Sequence, residues 1–263
     1  MLAQRIVTAV LLVAAAVTSV LLLPTHWVAP TFALLWLAGA WEWAAFGGWR
    51  GPLRAVYTVA VGLLMLLTYW SSFDVRWLLY AAGGWWLIAF VWILKYPTAI
   101  PERLVAIIGV FVLVPAWFAL VYLHGQPRGP LLVLTVLAVV SAADVGAYFA
   151  GRQWGRRKLA PNVSPKKTWE GVLGGLAASA LVAGFAAWAL GLPPFGLVLV
   201  GAGSAVISII GDLSVSMFKR NAGIKDSGYL LPGHGGVMDR IDSLSAAAPC
   251  FCLAVILMGL ISP

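Results

Sequence analysis

Residues 195–242 read FGLVLVGAGSAVISIIGDLSVSMFKRNAGIKDSGYLLPGHGGVMDRID, and one boundary inside that stretch decides the fold. From Phe195 to Ser216 the chain is apolar apart from its serines and Asp212, and a run of about 17 to 25 such residues crosses a bilayer as a helix. From Ser216 to Asp242, lysine, arginine, aspartate, histidine and glycine crowd together. Polarity of that density, in a chain that is otherwise lipid-soluble, marks the working part. Carboxylates hold a hard cation, basic side chains neutralise phosphates, and glycines let backbone N–H groups approach a bound anion. The expected substrate is therefore a polyphosphate.

Outside this stretch the pattern of apolar runs continues. The 263 residues are 62% hydrophobic and only 10% charged, against roughly a quarter charged in ordinary globular proteins, and mean hydropathy is +0.96. This is the composition of an all-α, polytopic integral membrane protein. We expect about nine transmembrane helices, at approximately 6–23, 27–46, 54–70, 76–94, 103–124, 130–150, 170–191, 195–216 and 244–261. The run beginning at Ile6 is long for a signal peptide and lacks an A-x-A ending, so it reads as a retained first helix. With the N-terminus cytoplasmic and the C-terminus outside, fifteen of the 17 lysines and arginines fall inside and only Arg76 and Arg128 outside, as the positive-inside rule requires. Trp27, Trp70, Trp77, Trp117 and Trp154, near the ends of apolar runs, fit an interfacial aromatic belt, with core packing accounting for some of them. Cys250 and Cys252 lie too close together for an ordinary disulfide and read as packing residues. The chain is expected to be a single polytopic unit (1–263), with N-terminal membrane helices (1–140) followed by a catalytic membrane region with two cytoplasmic loops (141–263).

Three further segments carry chemistry. Asp144 lies in SAADVGAYFAG (141–151), inside the sixth run. An aspartate at the centre of a spanning helix costs about 2.5–3.5 kcal/mol, so it needs a partner or a wet cavity, and Tyr148 and Gly151 share its face. The competing explanation is an aspartate hydrogen-bonded within the bundle. The loop GRQWGRRKLAPNVSPKKTWEG (151–171) holds six basic residues. Ser164 followed by Pro165 resembles a helix N-cap with proline at N1, which would put Lys166 and Lys167 beside free N–H groups suited to anions. A positive-inside anchor would look the same. In the eighth run Ser208, Asp212, Ser216 and Lys219 share one helical face, as the wall of a water-filled cavity would. Helix packing explains the serines but not Asp212.

In HGGVMDRID (234–242), Asp239 and Asp242 face the same way if a helix has started there. Together with Asp212 and Asp144 they make an oxygen-only set that favours Mg²⁺. His234 is read as a satisfied hydrogen-bonding residue ahead of a ligand or base. Glu42, inside the second run, either forms a salt bridge in the bundle or lines the cavity.

Ser216, Lys219, Arg220, Lys225, Asp226, Ser227, Leu231, Pro232, His234, Gly235, Gly236, Asp239, Arg240 and Asp242 resemble, without departure, the signature of the phosphatidate cytidylyltransferases. The segments holding Asp144, Tyr148 and Gly151, and Ser164 to Gly171, also look like those of this family. The resemblance covers most of residues 141–243; residues 1–140 match only in hydropathy and span count. It implies a reaction between CTP and phosphatidate that gives CDP-diacylglycerol and pyrophosphate with Mg²⁺; the basic residues gathered on one face place the site on the cytoplasmic side of the inner (plasma) membrane in this expectation. It also implies a homodimer; a second cation beside Mg²⁺ is left open. On this reading Asp212 and Asp239, supported by Asp242 and Asp144, hold the metal. Lys219, Arg220, Lys225 and Arg240 act on the reacting phosphates, and Ser164, Lys166, Lys167, Thr168, Ser216, His234, Gly235, Gly236 and Tyr148 contact substrate.

Nucleic-acid binding is disfavoured because no basic soluble domain exists. A membrane phosphotransferase of another kind would use the same inventory, but HGG with DRxD argues against it, and the DGxxAR pattern of CDP-alcohol phosphotransferases is missing. An ion transporter would explain intramembrane Asp144 and Asp212 but not the basic residues gathered in two loops on one face.

Overall fold

A computed structural model describes residues 2–230 and 235–261. The described residues form nine helices: α1 (Leu2–Leu22), α2 (Thr25–Phe46), α3 (Pro52–Trp70), α4 (Val75–Leu94), α5 (Glu102–His124), α6 (Gly129–Trp154), α7 (Trp169–Leu190), α8 (Pro194–Asn221) and α9 (Met238–Leu257). Among the described residues, seven helices, α3 to α9, have the length and hydropathy to cross a membrane. The chain is thus a multi-pass membrane protein. Among the described residues α1 contributes the apolar helix Val10–Leu22, and α2, with four tryptophans, His26 and Glu42, is not one of the seven.

The bundle is built around α5 and α9, whose side chains are mostly buried, whereas α3 and α7 turn most of theirs outward. Leu63, Leu67, Leu173, Leu181 and Phe185 on the outer helices are all exposed, which suits a lipid surround. Glycine brings α6 and α7 together: a Cβ on Gly174 would run into Ala150 and the Gly146 carbonyl, and one on Gly175 into the Ala143 carbonyl. Small residues permit such backbone approach where apolar burial alone cannot drive helix association. Ser179 Oγ adds a 3.0 Å hydrogen bond to the Val139 carbonyl across the same seam. Elsewhere indoles bridge helices, with Trp43 Nε1 donating to Val105 O at 2.7 Å and Trp117 Nε1 to Ala29 O at 2.9 Å.

Several expectations are corrected here. Ser164 is not a helix N-cap: Ser164–Thr168 forms strand β2, paired antiparallel with β1 (Lys158–Ala160), so the all-α fold carries one small hairpin. The cap is Thr168, whose Oγ1 accepts from Gly171 N at 3.2 Å. Hairpin pairing with a partner several residues back extends the chain through Pro165, and proline is tolerated on such a short edge strand. Lys166 and Lys167 are therefore strand residues, one turn short of the helix end. Trp117 does not belong to an interfacial belt, because it is 3% exposed within α5; Trp27, Trp70, Trp77 and Trp154 are well exposed. The last helix begins at Met238, six residues before the expected 244.

Candidate active site

The C-terminal parts of α6 and α8 and the N-terminal ends of α7 and α9 meet at one end of the bundle, joined by the hairpin and the loop after α8. Between them lies a cavity of about 1270 Å³. It is lined by Asp144, Tyr148 and Arg152 from α6, Lys166 and Lys167 from β2, Thr168 at the start of α7, Asp212 and Lys219 from α8, Asp226, Tyr229 and Gly235 from the loop, and Asp239, Arg240 and Asp242 from α9. Two helix N-termini, with their positive dipole ends, thus open onto the same space.

The lining is nearly charge-balanced. Asp144, Asp212, Asp226, Asp239 and Asp242 face Arg152, Lys166, Lys167, Lys219 and Arg240, five acids against five bases. Lys167 Nζ meets Asp212 Oδ2 at 2.5 Å and Lys219 Nζ meets Asp239 Oδ1 at 2.6 Å, both pairs at most 29% exposed. The other oxygen of Asp239 accepts from Ser227 N at 3.0 Å and Gly236 N at 3.2 Å, so this carboxylate is fixed from both sides. Asp144 and Asp242 lie within Coulombic reach of Asp212 and Lys167; Asp242 is nearly buried, while Asp144 is exposed. Arg152 Nη1 donates to Tyr148 Oη at 3.0 Å.

Not every residue singled out from the sequence reaches this cavity. Of the serine face on α8, Ser208 is fully buried and donates to Ala205 O. Ser216 donates to Asp212 Oδ1 at 3.3 Å without lining the space. Neither is a cavity wall. Ser164, Arg220 and Gly236 also stand outside the lining, and Lys225 lines a second, smaller cavity. His234 lies outside the described residues. Gly235 has φ +78°, a conformation that glycine alone takes without strain, so it permits the tight approach to α9.

Arg152 and Tyr229 line the cavity although neither was singled out. Arg152 was one of six basic residues in a loop that any membrane anchor could carry, and Tyr229 gives no local signal. The surroundings of Glu42 are likewise invisible in sequence. This carboxylate of α2 is 1% exposed and lines the second cavity, about 580 Å³, whose wall shares Asp226 and Tyr229 with the first.

The donor set is oxygen-only. Among the described residues no three His, Cys, Asp or Glu side chains stand close enough to cage a metal. The arrangement fits a hard cation held by one or two carboxylates and completed by phosphate oxygens, the usual manner of Mg²⁺.

The sequence profile of the Cytidylyltransferase family matches residues 3–258. A phosphatidate cytidylyltransferase of Pseudomonas aeruginosa is 44% identical over 95% of this chain and 96% of its own length. The phosphatidate cytidylyltransferase of Haemophilus influenzae is 36% identical over 95% of this chain and 97% of its own. That of Brucella suis biovar 1 is 37% identical over 79% and 69%.

Proposed function

The chain belongs to the cytidylyltransferase family, and from that premise we propose that it transfers the cytidylyl group of CTP to phosphatidate, giving CDP-diacylglycerol and pyrophosphate. The observation that carries this reading is a cavity at four helix ends where five carboxylates and five basic side chains converge. An oxygen of the phosphatidate phosphate forms the new bond to the α-phosphorus, and the bond from that phosphorus to the bridging oxygen breaks, releasing pyrophosphate. A phosphate monoester has a second pKa near ~6, so the nucleophile is largely a dianion at neutral pH and needs no strong general base. Catalysis is then a matter of alignment and charge neutralisation.

Lys166, Lys167, Lys219 and Arg240 are suited to bind and orient the phosphates, with Arg152 beside Tyr148 on the α6 side. Lys167 and Lys219 already stand against carboxylates, so phosphates would share these two cations with Asp212 and Asp239. Arg220 and Lys225 are proposed to act from the rim. Asp212 and Asp239, supported by Asp242 and Asp144, would hold Mg²⁺. Bound there, Mg²⁺ would offset charge on the triphosphate. Five acids matched by five bases leave the lining without net positive charge, which supports a cation arriving with the nucleotide. A second cation would fit the same argument.

We further propose that all nine helices cross the inner (plasma) membrane, with the N-terminus and the site cytoplasmic and the C-terminus outside; the distribution of lysine and arginine supports this. The family resemblance supports a homodimer, which cross-linking in detergent tests. The activity itself is tested with purified protein, labelled CTP, phosphatidate and Mg²⁺, followed by lipid extraction. Labelled liponucleotide is the expected product, lost with EDTA and restored by Mg²⁺. Absence of labelled lipid, with ion flux in liposomes, would overturn the reading in favour of a transporter.

A further inference from the structure

Glu42 is a carboxylate deep in the bundle; Arg54 lies within Coulombic reach in the smaller cavity, but the hydrogen bonds of Glu42 run to the site. Its Oε2 accepts from Ser227 Oγ at 2.8 Å and from Met238 N, 196 residues away, also at 2.8 Å. Its Oε1 has no hydrogen-bond partner among the described residues. Two glycines make the fit possible, since a Cβ on Gly228 or Gly236 would overlap this carboxylate.

The segments it touches are those that fix Asp239. Ser227 N and Gly236 N donate to Asp239 Oδ2, while Ser227 Oγ and Met238 N donate to Glu42. The two stretches of backbone are therefore held between two carboxylates, one from α2 and one from α9. Met238 N also belongs to the first turn of α9, whose N-cap Val237 offers no side-chain acceptor. Glu42 supplies that acceptor from another helix, with its negative charge at the positive end of α9.

We infer that Glu42 is a positioning residue for the reaction: it never touches substrate, and it acts through Ser227 and Met238 to hold Asp239, and with it Lys219, at the cavity. This rests on the cytidylyltransferase reading. Stability alone is a poor explanation, because a buried carboxylate with one oxygen unpaired costs free energy that an apolar side chain would not.

The test measures liponucleotide formation and thermal unfolding of the full-length protein in detergent for Glu42→Ala, Glu42→Gln and Ser227→Ala. Assays run well below each melting midpoint. Glu42→Ala is expected to lower kcat on the order of 10²-fold, the usual scale for a misplaced constellation. Glu42→Gln keeps a carbonyl oxygen able to accept both donors and should recover to within about tenfold of wild type. Ser227→Ala should lose several-fold in kcat, and combining it with Glu42→Ala should add little, as expected for groups in one network. A folded Glu42→Ala protein with wild-type kcat overturns the inference. So does Glu42→Gln as impaired as Glu42→Ala, which would make the charge itself the working part. Should Glu42→Ala fail to fold, Ser227→Ala decides: unchanged kcat overturns the inference, and reduced kcat at an unchanged midpoint supports it. A wild-type protein that makes no liponucleotide fails at the reading beneath, and the inference falls with it.

Discussion

Asp239 ties several parts of the site together, accepting from Lys219 on one oxygen and from two backbone N–H groups on the other. Replacing it with asparagine keeps the shape and one acceptor but removes the charge. We expect Asp239→Asn to elute as folded protein and to release no pyrophosphate from CTP and phosphatidate, read in a coupled pyrophosphate assay. Lys167→Met should behave differently. The Lys167–Asp212 pair is only about a quarter exposed on each side, and without its nearest cation Asp212 would face Asp144 and Asp242, so the loss should cost more than the ~1 kcal/mol of a surface pair. Turnover should fall at least tenfold, with a lower melting temperature. These residues were legible in the sequence because an aspartate or lysine beside an apolar run stands out against the cost of burying it. The tie from Glu42 to Met238 was not, since nothing local in α2 announces a partner 196 residues later.

At the level of elements, the start of α7 shows why boundaries are harder to read than helices. Ser164-Pro165 and Thr168-Trp169 are both plausible caps from local preference, and the choice falls to pairing between β1 and β2, in which Lys158 lies opposite Thr168. Thr168→Ala should therefore destabilise by about 1 kcal/mol through loss of the cap, visible as a lower melting midpoint, whereas Ser164→Ala should leave the midpoint nearly unchanged. The α6–α7 seam gives a sharper contrast. Gly174→Leu would force a side chain into Ala150 and the Gly146 backbone and should destabilise by at least about 1–3 kcal/mol. Gly83→Ala in α4, where a Cβ meets nothing within 4 Å, should not. Hydropathy located these helices well, but the identity of the partner across each seam is a property of paired surfaces, which one run of residues does not display.

On the scale of the whole molecule, the proposed orientation predicts that a cysteine placed at Arg156, in the loop before β1, is labelled by a membrane-impermeant maleimide only in inside-out vesicles. Labelling in intact spheroplasts would reverse the topology. The gathering of basic residues made the working face readable from sequence, whereas the closeness of the two cavities was not, because it depends on how the loop after α8 folds back. That loop is a shared wall: Asp226 and Tyr229 border both spaces. A small molecule lodged in the smaller one, against Trp41 and Arg54, would push on the partition from behind. Its inhibition would be one that raising the nucleotide concentration does not relieve, offering chemists a foothold separate from the crowded, highly charged chamber next door.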